Sequence, residues 1–323
     1  QDYPQDKFQV VVISDHMEEV TNLALGQLPI TLFTPDFQES MKHKSISYAL
    51  DHLDGFDRVI IMDADNITDT DFLSRINQAT QTVKVLQAHR TRKNENTSVA
   101  VWDGISEEIN NTIFRKGRVN VGLSSALIGS GMVFDFEWLK QHMHECKTFA
   151  EDKELEAILA RDNIFVDYSD DIYVYDEKTA RQDILIRQRS RWFHAQILAF
   201  SLITKDFKIR KLNLSYIDKV IQWIPFPRPV RFLLIFLMIL FWSVVSFPVA
   251  IKWYCLLIIK IGTYLLAIPR NMYTRDFFVS ITKLPSMMIA LLRSYTASIC
   301  RVKKKDMSFN NTPHHITKKN NHE

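Results

Sequence analysis

The chain has 323 residues, of which 46% are hydrophobic, and its 40 basic residues nearly balance its 37 acidic ones. This composition excludes wholesale disorder and gives no reason to expect a nucleic-acid partner. The three cysteines lie far apart in the sequence. They indicate neither a disulfide framework nor a zinc site, and they favour a reducing compartment.

Residues 1 to about 225 alternate between apolar runs typical of strands and amphipathic runs typical of helices. The predicted strands cover 8–14, 30–33, 58–62, 85–89 and part of 164–174. The predicted helices cover 18–28, 45–53, 70–86, 148–159 and 184–203. This alternation predicts an α/β domain with a mostly parallel sheet, in which ligands bind where the strands end.

The segment 232–268 is almost wholly apolar. It is too long for one membrane span, so it predicts two transmembrane helices, with the turn near Pro248 and Lys252. The alternative is a buried hairpin of a soluble protein. Arginines flank both ends of the run, and the positive-inside rule then places both ends in the cytoplasm. We therefore expect a multi-pass protein of the cell membrane with a cytoplasmic α/β domain.

Four regions are predicted along the chain. The α/β domain covers 1–210 and is followed by an interfacial segment over 211–231, whose prolines, arginines and aromatic residues are typical of a membrane surface. The transmembrane helices lie within 232–270, and 271–323 forms a membrane-associated helix with a basic tail. No apolar run typical of a signal peptide follows Gln1, so none is predicted, and we expect the chain to start within a longer protein.

Asp63 and Asp65 directly follow the predicted strand over 58–62. Extended backbone would point both carboxylates the same way, with the small Ala64 between them. Two carboxylates so placed can bind Mg²⁺ or Mn²⁺, which bridge phosphates and neutralise the charge on a departing diphosphate. The alternative is a loop that caps the next helix through the polar residues 68–70.

Glu151 and Asp152 open another predicted helix. Thr148 and Glu151 have the spacing of a capping box, which assigns Glu151 to the helix end and leaves Asp152 without a structural task. An aspartate at a helix start tends to stay ionised, and a general base for a sugar hydroxyl must be ionised.

The sequence Gln188-Arg189-Ser190-Arg191-Trp192 lies near the start of the predicted helix over 184–203. Gln188 shares a helical face with Arg191 and Trp192. An arginine can bind diphosphate oxygens, and an indole ring can stack on a sugar. The alternative is a basic helix resting on anionic lipid.

The order of D-x-D, Glu-Asp, Q-R-x-R-W and membrane helices closely resembles glycosyltransferase family 2 over roughly residues 8–270. The likeness is greatest to the membrane-embedded branch of cellulose, chitin and hyaluronan synthases. The resemblance implies a GT-A fold that binds a nucleotide sugar, inversion at the anomeric carbon and a β-linked product. It also implies a UDP-sugar donor, Mg²⁺ or Mn²⁺, and a growing glycan as acceptor.

The resemblance also implies a role for each matching residue. Asp63 would contact the donor, Asp65 would bind the metal, and Asp152 would deprotonate the acceptor hydroxyl. Asp15 would contact the nucleobase, and Lys44 would lie near the donor. The residues implied to bind the diphosphate and the acceptor end are Gln188, Arg189, Arg191 and Trp192. A segment over 309–314 resembles the family's gating segment.

The family's first strand and its N-terminal membrane helices have no counterpart in residues 1–7. The resemblance therefore predicts that this chain by itself is weakly active or inactive. Three functions stay open: a processive or short-chain synthase, a single-step transferase acting on a lipid-linked or glycan acceptor, and an inactive membrane scaffold. Metal-dependent UDP binding would separate the enzymes from the scaffold, and product length would separate the two enzymes.

Overall fold

A computed structural model describes residues 1–205, 214–224 and 226–303. These residues form two compact units. The first unit consists of Gln1–Thr91, Asn110–Asp176, 199–205 and 214–224. The second consists of Arg92–Ile109, Glu177–Leu198 and 226–303. The gating segment suggested by the sequence, 309–314, lies outside the described residues.

The first unit begins with a small parallel sheet. Strand β1 (Val11–Ile13) pairs in parallel with β2 (Thr31–Phe33), and helix α1 (Glu19–Leu25) connects the two strands along the chain, which makes a strand-helix-strand unit. The β-branched residues of β1 favour extended backbone. Helix α2 (Lys42–Asp51) follows, and its Tyr48 ring packs edge-on against Phe33, with 5.7 Å between the ring centroids.

The main sheet of the first unit has five strands in the order β3-β6-β5-β7-β4. The strands are β3 (Arg58–Ile61), β4 (Ile67–Thr68), β5 (Val85–Arg92), β6 (Met132–Asp135) and β7 (Val166–Asp176). Strand β6 is antiparallel to both of its neighbours, and β4 is antiparallel to β7. Strands β3 and β5 therefore point the same way with a reversed strand between them.

The prediction of a mostly parallel sheet was wrong, since the sheet is mixed. The error has a physical cause. Apolar runs identify strands but carry no information on strand direction, and β6 enters the sheet only after a long helical excursion. That excursion comprises α4 (Ser98–Asn110), a π-helical stretch (Asn111–Lys116) and α5 (Gly117–Asn120), none of which the sequence analysis assigned.

Both faces of the main sheet are covered by apolar side chains. On one face, Met132 and Phe134 of β6 pack with residues of α6 (Phe136–His142) and α7 (Glu151–Arg161). On the other face, Val133 packs with residues of α3 (Phe72–Ala79). The alternation along β6 is the two-residue period of a strand buried on both sides.

Two further helices complete the first unit. The C-terminal part of α8 (Gln182–Lys205) packs against α9 (Leu214–Gln222) through Ala199, Ile203, Tyr216 and the following Trp223. The Tyr216 hydroxyl donates to the Ile203 carbonyl, which fastens the two helices together. The predicted helix over 184–203 is confirmed as part of α8.

The second unit contains the apolar helices. Helices α10 (Arg228–Val245) and α11 (Phe247–Leu266) are each long and apolar enough to cross a membrane. Among the described residues only these two qualify, unless the bent pair α12 (Arg275–Ile281) and α13 (Leu284–Lys303) counts as a third span. Phe232 of α10 meets Tyr264 of α11, so the two helices lie side by side. That they cross the membrane as a hairpin stays a prediction.

The turn between these helices differs from the one expected near Pro248 and Lys252. The helices break at Ser246, and Pro248 lies in the first turn of α11, where its missing N–H is not needed. Lys252 lies within α11.

Candidate active site

The D-x-D sequence lies in a turn directly after β3. Ala64 and Asp65 form the turn, and the Asn66 amide donates to the Asp63 carbonyl at 3.1 Å. The expectation that extended backbone aligns the two carboxylates was therefore wrong, because the chain reverses between them.

Asn66 holds this turn in place. Its side-chain amide nitrogen donates to the carboxylates of Asp65 (3.2 Å) and Asp176 (3.1 Å). Its side-chain oxygen accepts from the Ser130 hydroxyl and from the Asp63 amide. One asparagine thus connects the turn after β3 to the end of β7 and to the loop before β6, and it fixes the Asp65 carboxylate.

Lys42, at the start of α2, forms an ion pair with Asp63 of the D-x-D turn. Its ammonium donates to the Asp63 carboxylate and, at 2.6 Å, to the Gly129 carbonyl. Burial alone would lower the pKa of Lys42, but the Asp63 and Glu151 carboxylates outweigh that effect and raise it. Lys42 is therefore firmly protonated. Lys42 could not be recognised in the sequence, where the family resemblance pointed to Lys44 instead; the Lys44 ammonium donates to the Glu39 carbonyl at 3.1 Å.

Gly129 lets the loop before β6 approach this cluster. Its φ of +80° is a conformation that side chains other than glycine rarely adopt. A Cβ atom at this position would lie 3.9 Å from the Lys42 ammonium and 4.0 Å from the Glu151 carboxylate. The glycine therefore brings a backbone carbonyl within reach of Lys42 while leaving the space between the two side chains open.

Glu151 is the first residue of α7, and its side chain is not used for capping. The N-cap is Ala150, and the Lys147 and Thr148 amides donate instead to the carboxylate of Glu154 at 2.9 and 2.8 Å. The capping box expected between Thr148 and Glu151 was wrong, because the helix starts after Ala150 and the Thr148 amide and hydroxyl donate instead to Glu154, six positions further on. Glu151 is only 5% exposed, and burial, reinforced by the neighbouring Asp152 carboxylate, raises its pKa to about 8.

Asp152 lies beside Glu151 at the start of α7. Its carboxylate accepts from the Lys153 amide at 2.8 Å, and its side chain is 21% exposed. Burial raises the pKa of Asp152, while the Lys153 ammonium opposes the rise. The expectation that the helix start favours the ionised form was therefore wrong, because burial outweighs the helix dipole. A carboxylate with a raised pKa binds a proton more strongly, which suits a general base.

Asp15 follows β1 with a side chain that is 12% exposed. Its Oδ1 atom accepts no hydrogen bond from any residue that the structure describes, although the His16 imidazole lies 3.5 Å away. This buried oxygen is therefore an unpaired acceptor at the end of a parallel strand, where α/β proteins bind ligands.

The Q-R-x-R-W residues lie on α8 in the second unit. The Arg189 guanidinium pairs with the Asp103 carboxylate of α4, and both side chains are largely buried. The same guanidinium stacks over the Trp192 ring, with 4.4 Å to the ring centroid. Gln188 accepts a long hydrogen bond from Thr179 at 3.5 Å. Arg189 therefore positions the Trp192 ring, and Asp103 is a partner of this motif that could not be recognised in the sequence.

Within the first unit, the site cluster consists of Lys42, Asp63, Asp65, Glu151 and Asp152. The cluster brings two of the sequence motifs together at the ends of strands and the start of α7. Asp15 lies in the same unit, at the end of the small sheet. The third motif, with Asp103, is organised separately within the second unit.

Residues 58–291 match the model of the glycosyl transferase family group 2. The chain belongs to this family. It is therefore a family 2 glycosyltransferase, an enzyme that takes its sugar from a nucleotide-sugar donor, and the predicted enzyme class is confirmed. No curated protein matched the sequence in a separate comparison.

Two solved structures resemble this family 2 glycosyltransferase. The mannosyltransferase PcManGT from Pyrobaculum calidifontis, solved with GDP-Man and Mn²⁺, is 16% identical, with a TM-score of 0.54 over 92% of this chain and 80% of its own. S. aureus TarS 1-349 is 13% identical, with a TM-score of 0.44 over 95% and 85%. The likeness to PcManGT supports the predicted GT-A-type α/β fold, with the mixed sheet described above.

Proposed function

We propose that this glycosyltransferase moves a sugar from a UDP-sugar to a growing glycan with inversion at the anomeric carbon, giving a β-linked product. The observation that carries the proposal is the position of Lys42. Its ammonium contacts Asp63 of the D-x-D turn and lies close enough to Glu151 and Asp152 to be influenced by both carboxylates. Groups suited to bind a donor and a group suited to act as base thus share one cluster.

Asp152 acts as the base in this proposal. It removes the proton from the acceptor hydroxyl as the hydroxyl oxygen attacks the anomeric carbon and the bond to the donor diphosphate breaks. Attack opposite the leaving group inverts the anomeric centre. The raised pKa of Asp152 favours proton capture, and its partial exposure leaves the carboxylate open to an acceptor. General-base catalysis of this kind contributes about 10²- to 10⁴-fold to a rate.

A divalent cation fits the D-x-D turn. No group of three or more His, Cys, Asp or Glu side chains in the described parts of the chain could hold a metal by itself. Mg²⁺, however, is commonly bound by one or two carboxylates together with substrate phosphates. Asp65, held by Asn66 and partly exposed, supplies such a carboxylate. The ion, Mg²⁺ or Mn²⁺, would neutralise negative charge on the departing diphosphate.

The other contacts follow the family resemblance. The unpaired Oδ1 atom of Asp15 accepts a hydrogen bond from the nucleobase. Gln188 and Arg191 bind the diphosphate, and the Trp192 ring stacks on the sugar that receives the transfer. Arg189 acts by fixing the Trp192 ring, since its guanidinium is occupied by Asp103. Unlike the resemblance, this proposal gives Lys44 no direct part, because its ammonium contacts Glu39 rather than the site cluster.

Membrane attachment forms part of the proposal. Helices α10 and α11 cross the membrane, their outer ends face the cytoplasm, and α9 lies along the membrane surface. The support is the exposure of the apolar residues on these helices, such as Phe236, Phe241 and Leu266. Side chains of this kind are stable outside a protein core when lipid covers them.

The test is product analysis of the full-length protein in detergent, offered UDP-sugars and, because PcManGT was solved with GDP-Man, GDP-mannose as well. Each donor is supplied with Mn²⁺ or with a chelator. We expect chelator-sensitive formation of a β-linked polymer from one UDP-sugar. An α-linked product would contradict inversion, and turnover unaffected by chelator would contradict the metal. A single transferred sugar on a lipid or glycan would replace chain growth by single-step transfer.

A further inference from the structure

A buried ionic cluster lies directly behind the proposed base. We call it the triad: Lys153 and Glu156 of α7 and Lys219 of α9. The Lys219 ammonium donates to the Glu156 carboxylate at 2.7 Å and to the Ser125 carbonyl at 2.9 Å. The Lys153 ammonium donates to the other oxygen of the same carboxylate. Lys219 is 1% exposed and Glu156 is fully buried.

The packing of α9 against α7 does not explain why charged side chains are buried between the two helices. Burying charged groups is costly even when they are paired, and well-packed apolar side chains of similar volume often stabilise a fold better. The same helices already have apolar contacts, since Ala157 of α7 packs with residues of α8 and α9. The triad therefore needs an explanation other than attachment of α9.

The explanation lies in where the triad places Lys153. Its ammonium contacts Glu156, donates to the Leu127 carbonyl at 2.9 Å, and forms a longer ion pair with the Asp152 carboxylate at 3.8 Å. Two carboxylates thus compete for one ammonium group, and Glu156 holds it. The charges of the Lys153 and Lys219 side chains keep Glu156 ionised, because burial alone would raise its pKa but these two lysines lower it.

We propose that the triad is a positioning device for the base. Lys219 and Glu156 keep the Lys153 ammonium closer to Glu156 than to Asp152, so the Asp152 carboxylate stays available to take a proton from the acceptor. Without the charge on Glu156, the ammonium would move closer to Asp152, and the tighter ion pair would weaken the base. This inference rests on the proposed role of Asp152.

Other charged groups act on the same residues and enter the design of the test. Lys42 and Glu151 act on Asp152, Arg115 acts on Lys153, and Arg118 acts on Lys219. Arg118 in turn pairs with Asp218, the neighbour of Lys219 on α9. The Arg118–Asp218 pair therefore offers a control, because it attaches the same helix without touching Lys153.

The test compares pH profiles of kcat for the full-length protein in detergent. The double variant Glu156→Gln/Lys219→Gln removes both charges together and keeps hydrogen-bonding side chains of similar size. We expect its acid limb to move to lower pH by about one unit or more, since an opposite charge close to a carboxylate lowers the pKa by that amount. The plateau of kcat falls, while the KM for the donor is unchanged. Adding Lys153→Met should reverse the shift, and Asp218→Asn should leave the limb in place.

The outcomes separate this inference from the base assignment. If Asp152→Asn is inactive and the double variant has the wild-type limb and plateau, the triad does not position the base. If Asp152→Asn keeps wild-type turnover, the base assignment itself fails. Should the double variant not fold, Lys153→Met alone carries the test. We expect it to remain active with its acid limb at higher pH, and an inactive but folded Lys153→Met protein would overturn the proposal.

Discussion

Replacing Glu151 by glutamine is expected to stabilise the first unit at alkaline pH. The Glu151 carboxyl is buried at the start of α7, beside Asp152, and its pKa is raised to about 8. Ionising it in the folded protein is therefore unfavourable compared with ionising it in the unfolded chain. Glutamine keeps the shape of the side chain and cannot ionise.

The direction in which Glu151 changes stability with pH follows from the protons bound by the folded and unfolded chains. Between the ordinary pKa of 4.5 and the folded value of about 8, the folded protein keeps a proton on Glu151 that the unfolded chain has lost. Stability due to this group is complete below pH 4.5 and declines as the pH rises to about 8. At roughly 1.4 kcal/mol per pH unit, the loss reaches up to about 5 kcal/mol. Part of this titration is shared with Asp152, because the two carboxyls lose protons as a pair.

The assay is thermal unfolding of wild type and Glu151→Gln in detergent across this pH range, with the change in Tm converted to free energy. We expect near-equal stability below pH 4.5 and a growing advantage for the variant up to about pH 8. Glu145→Gln is the control of opposite sign, because hydrogen bonds from Arg161 lower the pKa of Glu145. Glu145→Gln should be less stable than wild type at the pH values where Glu145 is ionised, and the difference should disappear at acidic pH. Parallel curves for wild type and Glu151→Gln would refute the electrostatic account of the cluster.

Three further predictions follow from individual contacts. Lys42→Met should raise the Kd for the nucleotide-sugar donor about 10-fold or more, because loss of a charge-assisted contact is worth about 1.5–3 kcal/mol. Calorimetry measures the Kd, and the control variant Lys44→Met is expected to bind the donor normally. Asp103→Asn should release Arg189 from its pair, alter Trp192 fluorescence and raise the KM for acceptor but not for donor; an unchanged spectrum and KM would contradict the positioning role. Ile217→Ser/Ile221→Ser removes exposed apolar side chains of α9, so activity in lipid vesicles should fall while activity in detergent stays normal.

Local features of the site could be predicted from the sequence. The apolar run over 58–62 located the strand that delivers Asp63 and Asp65, and the polar start of 151–161 located the helix that presents Asp152. Both inferences depend only on neighbouring residues. The same holds for α10 and α11, whose apolar character is visible in the sequence itself.

Features that depend on distant residues could not be predicted. Lys42 meets Asp63 across 21 positions, Arg189 meets Asp103 across 86, and Asn66 meets Asp176 across 110. No periodicity links such pairs. The capping box failed for a different reason, because the prediction placed the N-cap at Thr148. The helix starts two residues later, with its N-cap at Ala150, so Glu154 accepts from the Thr148 amide and Glu151 is left to the site cluster.

The most direct test of the central claim is sugar transfer by Asp152→Asn, measured beside wild type and a matched control, Asp162→Asn, which changes a carboxylate at the other end of α7. All three proteins are assayed at saturating donor with Mn²⁺, and donor binding is measured in parallel. The account predicts that Asp152→Asn binds donor normally but loses about 10²- to 10⁴-fold in transfer rate, while Asp162→Asn keeps its activity. Wild-type transfer by Asp152→Asn would contradict the account.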